Sequence, residues 1–190
     1  RMQVYFIDND EYFPKKQMFH EEDGDFMKNN DERMIFYCKG VIETVRKLGW
    51  KPDVIHCQGW FTSLVPMYIK SIYAGDPLFE DVKVIYSVFN NSFDGVLGKT
   101  LPEKLLFENI EEALVAPLKV SNIRNLHKFA IDHSDAVVQA SPDIDKDVLG
   151  YIKSSKKPFM EYPGAEDYVD AYQDFYEQFL KEEEVALIEN

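Results

Sequence analysis

The run Pro52-Asp53-Val54-Ile55-His56-Cys57-Gln58-Gly59-Trp60 holds the residues best placed to do chemistry. Its short apolar stretch stops abruptly at Gln58 and Gly59, and a helix-forming segment starts near Trp60. In a parallel α/β sheet, a strand that ends this way points its last residues into the crevice where such sheets bind ligands. Gln58 offers an amide that donates and accepts hydrogen bonds but does not titrate. It can hold a ligand hydroxyl, or it can cap its own loop. His56 reads as a structural, neutral ring with a backbone partner. Trp60 is large enough to be a binding platform, but a packing role at a helix start is the preferred reading. Asn90 and Asn91 follow the next apolar run, and they either line a cleft or merely form a turn.

Other chemistries find little support. The four histidines are scattered, and His127 and His133 are spaced wrongly for a metal pair on one helix face. No H-E-x-x-H, phosphate loop or G-x-G-x-x-G occurs, so no metal site or resident cofactor is expected. A net charge of −13 argues against nucleic acid and against anionic membrane surfaces. No apolar run approaches the ~20 residues of a membrane span, and no signal peptide opens the chain. Cys38 and Cys57 lie in apolar segments without a pairing framework, which predicts buried, reduced thiols and a cytoplasmic location. With 190 residues, 45% of them hydrophobic, the chain suits one globular α/β domain. Its first residue is Arg1, so the sequence is expected to start inside a longer one or after a tag.

The elements that must position these residues follow from periodicity. Residues 2–7 alternate and are β-rich, which predicts a strand, and 8–32 read as a surface loop. Met34, Cys38, Val41, Val45 and Leu48 recur at three or four, predicting a helix over 31–48 that Gly49 ends. Strands are predicted at 54–57, 82–88 and 136–140. Helices are predicted at 60–73 (bent or shortened by Pro66), in short pieces over 102–118, and at 123–133. Ser141-Pro142 reads as a helix start, with Ser as N-cap and Pro at the first helical position. Tyr162-Pro163-Gly164 is a turn. A last helix spans 166–183, with Tyr168, Tyr172, Phe175 and Phe179 in one line. Strand–helix alternation at this spacing implies a doubly wound parallel sheet.

Four segments then occur together and in order: Asn30-Asp31-Glu32-Arg33-Met34, Lys51 to Trp60, Tyr86-Ser87-Val88-Phe89-Asn90, and Ala140-Ser141-Pro142. This set resembles the N-terminal catalytic domain of bacterial glycogen synthases and plant starch synthases. The corresponding family patterns are D-N-x-x-R-F, K-P-D-V-(V/I)-H-x-H-D-W, F-T-I-H-N and V-S-P. The resemblance implies a Rossmann-like domain, the N-terminal half of a GT-B fold, whose first strand and helix could lie outside this chain. The chain reads as a single domain over 1–183 followed by an acidic tail over 184–190. The family transfers glucose, with retention, from a nucleotide-glucose to an α-1,4-glucan without a metal. The donor, with ADP-glucose favoured, is a substrate. The implied partners are the glucan acceptor and either a C-terminal donor-binding domain or a separate protein.

The chain departs from the family pattern at the positions that matter for transfer. The second His of H-x-H-D-W is Gln58, its Asp is Gly59, and the His of the H-N pair is Phe89. The K-T-G-G-L loop does not occur. No catalytic residue can therefore be assigned. The substrate-binding candidates are Gln58, Gly59, Trp60, Asn90 and Asn91. The alternative is a catalytically silent, stand-alone relative that binds glucan or protein. The aromatic stripe of the last helix reads first as a face packed on its own sheet; if no second domain exists, it is free to drive self-association. Two further features have two readings each. Arg33 either pairs with an acidic loop residue or sits solvated at its helix start. Tyr5, Phe6, Tyr12 and Phe13 either line a glucan groove or anchor a loop.

Overall fold

The computed structural model describes residues 2–14, 17–106 and 110–188, with the side chains of 179 and 181–188 outside that description. Helix α1 (Asn30–Leu48) leads into strand β1 (Val54–Gln58), a 3-10 turn (Trp60–Thr62) and α2 (Val65–Lys70). Strand β2 (Lys83–Val88) is followed by two short helices, α3 (Leu101–Leu105) and α4 (Glu112–Val115), and by α5 (Ile123–His133). Strand β3 (Ala136–Gln139), α6 (Lys146–Ser155), β4 (Phe159–Met160) and α7 (Tyr168–Ile188) complete the order. The four strands are parallel and lie in the order β1-β2-β3-β4. The α/β class, the parallel sheet and helices on both of its faces are as expected.

The pleat sorts the strand residues between two layers. Ile55, Cys57, Val84, Tyr86, Val88, Val137 and Phe159 face the main core. There they meet Met34, Cys38 and Ile42 of α1, Met67 and Tyr68 of α2, Leu126 and Phe129 of α5, and Val148 and Ile152 of α6. Ile85, Ala136 and Val138 face the other way and meet Tyr172, Phe175 and Tyr176 of α7. The register aligns His56 with Ile85 and Ala136, and Gln58 with Ser87, Val138 and Met160. One side of the sheet thus has a deep core. The other has a thin one covered by α7.

Several local expectations change. Residues 2–7 form no strand, and Met2, Val4 and Phe6 are exposed. A β-rich hexapeptide becomes a strand only where a ladder receives its backbone groups, and this one has none among the described residues. Pro66 stands in the first turn of α2, where its missing N–H costs nothing, so the segment after β1 divides into a 3-10 turn and a short helix. Helix α6 begins at Lys146, not at Ser141-Pro142. Its N-cap is Asp145, whose carboxylate accepts from the Asp147 and Val148 amides. Strand β4, only two residues long, offered no alternation to read.

Arg33 is the largest correction. It is 2% exposed, so it is not solvated, and the loop carboxylate of Glu21 acts on it electrostatically. Its guanidinium donates to the Tyr12 and Met18 carbonyls and to Asn30 Oδ1, and it lies 4.9 Å from the centre of the Phe13 ring. Tyr12 stacks on Phe36 of α1. The loop that looked like a free surface segment is therefore wrapped around a buried cation. Of the four early aromatics, Tyr12 and Phe13 anchor the loop, whereas Phe6 is 89% exposed. Arg33→Met should cost about 2–4 kcal/mol, because it leaves buried carbonyls unpaired. The checks are urea unfolding and an increased rate of proteolytic cleavage within residues 8–29.

Candidate functional site

The carboxyl ends of β1, β2 and β3 meet at one edge of the sheet. β1 stops because Gly59 turns the chain with φ 75° and ψ 173°, a region that only glycine occupies readily. The Gly59 amide donates to the Ser87 carbonyl, which locks this corner onto β2. A Cβ at 59 would lie 3.3 Å from the Asn91 side-chain nitrogen. Trp60, thrown inward by the corner, is 2% exposed and packs among Phe19, Phe26, Phe61 and Phe93. Its face is occupied by the core and is not offered to a ligand. At the end of β2, the Asn90 amide donates to Ser141 Oγ, so Ser141 ties the β2 loop to the end of β3 instead of capping a helix.

Gln58 and Phe89 line one cavity of about 720 Å³. Ala140 completes its strand-end wall, and Tyr162 with Tyr168, Tyr172 and Tyr176 of α7 forms the opposite wall. The Gln58 side chain is exposed and makes no hydrogen bond among the described residues, so it does not cap its loop. Asn90 and Asn91 line a different cavity of about 330 Å³, with Arg124 and His127 of α5 and Lys146 of α6. Phe89 belongs to both. The five candidates therefore divide three ways. Gln58 enters the larger cavity, Asn90 and Asn91 the smaller, and Gly59 and Trp60 serve backbone shape and packing.

His56 stands on the α7 side of the sheet, beneath the larger cavity. Its Nε2 lies 2.6 Å from Ser87 Oγ and its Nδ1 2.6 Å from the Tyr176 hydroxyl. Tyr172 stacks on the ring at 5.7 Å. The expected structural role is correct, but the partners are side chains. Burial pushes its pKa down to about 4 and keeps the ring neutral. His127 behaves alike on the other face. It is 3% exposed, bonded through Nδ1 to the Tyr86 hydroxyl, and pushed down to about 4 by burial. Cys38 and Cys57 are free and buried as expected, and burial raises both thiols far out of the reactive range.

A family model described as the starch synthase catalytic domain matches residues 1–155. The chain belongs to this family. It is 35% identical to a glycogen synthase of Chlorobium limicola over 79% of this chain and 30% of that protein. It is 38% identical to the glycogen synthase of Chlorobium phaeobacteroides over 74% and 28%. Identity to that of Desulfitobacterium hafniense is 33%, over 76% and 30%. The chain thus spans about a third of the length of these relatives. In three dimensions it resembles the catalytic domain of starch synthase IV from Arabidopsis thaliana bound to ADP and acarbose. The TM-score is 0.57 at 20% identity, covering 80% of this chain and 32% of that one.

Within this starch synthase-type domain, the family motifs supply the strand ends. Residues 156–190, beyond the family match, supply the tyrosine wall. Tyr162, Tyr168, Tyr172, Gln173 and Tyr176 were missed as site residues. The stripe on the last helix was visible in the sequence, but its spacing alone does not say which rings pack and which line a cavity. Among the described residues, no helix is long and apolar enough to cross a membrane.

Two outcomes follow from this geometry. Gly59→Asp, which restores the family residue, should cost about 1–3 kcal/mol from backbone strain alone, read as a lower urea midpoint. Stability should also depend on pH through His56 and His127, whose folded pKa of about 4 lies below the ordinary 6.5. The unfolded chain then binds more protons, so this contribution is complete above about pH 6.5 and is lost as pH falls toward about 4. Each ring contributes up to about 3 kcal/mol over that window. Ring-proton resonances should show both imidazoles neutral at pH 5. Titration near 6.5 would contradict their burial.

Proposed function

We propose that this domain is the acceptor-side half of a glycogen- or starch-synthase-type glucosyltransferase, which holds an α-1,4-glucan at the carboxyl ends of β1–β3 while glucose is transferred to it. The observation that carries this reading is that Gln58 and Phe89, the two positions where the family motifs place histidines, line one cavity at the strand ends. That cavity suits a neutral ligand. Among its lining residues there is no Lys or Arg, and its polar groups are amides, hydroxyls and Glu177. A diphosphate in transfer needs cations or convergent backbone N–H groups to stabilise departing charge. The reading therefore assigns the nucleotide-glucose, with ADP-glucose favoured, to a donor-binding domain later in the natural chain or to a separate protein. The buried thiols fit a cytoplasmic setting.

Gln58 holds a hydroxyl in this scheme but cannot accept and release a proton as an imidazole does. The domain's own role is to bind and orient the acceptor. Radiolabelled ADP-glucose with glycogen and the full-length natural product is the decisive assay, and incorporation is expected. A folded product that incorporates nothing removes the transferase reading. Gln58→His should raise the rate at least about tenfold if the position faces the reacting sugar, since proton transfer by a placed side chain typically contributes 10²–10⁴-fold. An unchanged rate would show that position 58 does not face it.

A further inference from the structure

Helix α7 lies outside the matched family domain, yet it builds half of the larger cavity. Three of its tyrosines are spaced by four residues, which puts them one above another on a single helix face. Tyr168 is 54% exposed at the start of the helix. It meets Tyr172 edge to face at 6.4 Å, and Tyr172 meets Tyr176 in the same way at 6.1 Å. The row ends at His56, which stacks with Tyr172 and holds the Tyr176 hydroxyl. The ladder thus runs from solvent to the sheet, and its inner end is fixed in place.

The hydroxyls of Tyr168 and Tyr172 have no hydrogen bond among the described residues, and neither has the Gln58 amide on the opposite wall. Gln173 adds a second amide beside them, donating at 3.3 Å to Glu177. The cavity is thus lined mostly by rings and other apolar groups, with a few polar groups and no Lys or Arg among its lining residues. That composition suits a ligand with flat apolar faces and a rim of hydroxyls. Its volume of about 720 Å³ lies within the usual range for bound small molecules.

We infer that the tyrosine ladder of α7 is a sugar-stacking wall, and that it sets the affinity of the strand-end cavity for short α-1,4-glucans. This rests on the reading that the strand ends hold the glucan. Glucosyl rings lie against Tyr168 and Tyr172, with their hydroxyls on Gln58 and Gln173. Tyr176 and His56 are positioning residues that fix the helix against the sheet.

Calorimetric titration of the full chain with maltoheptaose tests this. Tyr168→Ala, at a largely exposed position, should leave the urea midpoint unchanged and weaken binding at least tenfold. Tyr168→Phe should retain most of the affinity, because the ring remains. Millimolar ADP should not displace the sugar. If Tyr168→Ala and Gln173→Ala bind like the parent while Gln58→Ala binds weakly, the strand-end reading survives and the α7 wall is refuted. If the parent chain binds no maltoheptaose, both fall. Displacement by ADP would make the cavity a nucleotide site and overturn the inference.

Discussion

Docking of α7 onto the second face of the sheet is the contact on which the site depends. That face is thin: among the described residues its fully buried apolar members are Ile85, Ala136 and Val138, beside the buried Ser87. Tyr172, Phe175 and Tyr176, each partly buried, pack against it as cover. A polar group sits in the middle of this layer. His56 is tolerated because both of its nitrogens have partners, Ser87 from the neighbouring strand and Tyr176 from the helix. The same two bonds give the interface a definite register, which apolar packing alone specifies less sharply. A helix free to slide would have no fixed cavity beside it.

The strand ends meet α7 in a definite geometry for a separate reason. Gly59 turns the chain where few other residues could, and its amide closes on Ser87. The corner sends Trp60 into the core and leaves Gln58 as the last side chain on the α7 side. Ser141 holds the next loop through the Asn90 amide. Phe89, between the two loops, separates a neutral aromatic cavity from a polar one on the opposite face. The sheet thereby divides its crevice into two environments, and only the polar one has Arg124 and Lys146 on its walls.

The chemistry of the larger cavity is that of recognition. It has rings, amides, hydroxyls and the Glu177 carboxylate. His56, the nearest imidazole, is neutral and already bonded on both sides. Family membership and geometry therefore point to the same division of labour. Under the proposed function this domain holds sugar, and charge stabilisation belongs to residues outside it.

Local signals in the sequence determined much of the frame. Helix α1 was legible from its apolar period and Gly49, and α5 was legible to the residue. Strands β1 and β2 showed as apolar runs between turn residues, and ordered motifs identified the family. Tertiary structure decided the rest, because the deciding partners are distant in the chain. Residues 2–7 needed a strand neighbour that the described chain does not provide. Arg33 was drawn inside by carbonyls 15 and 21 positions away. Ser141 found Asn90 across 51 residues and left the cap of α6 to Asp145. His56 found Tyr176 across 120 residues, and that bond turned a tyrosine stripe into a cavity wall. Periodicity shows that a helix has a face. Only the sheet beneath it decides which rings on that face are buried and which border open space.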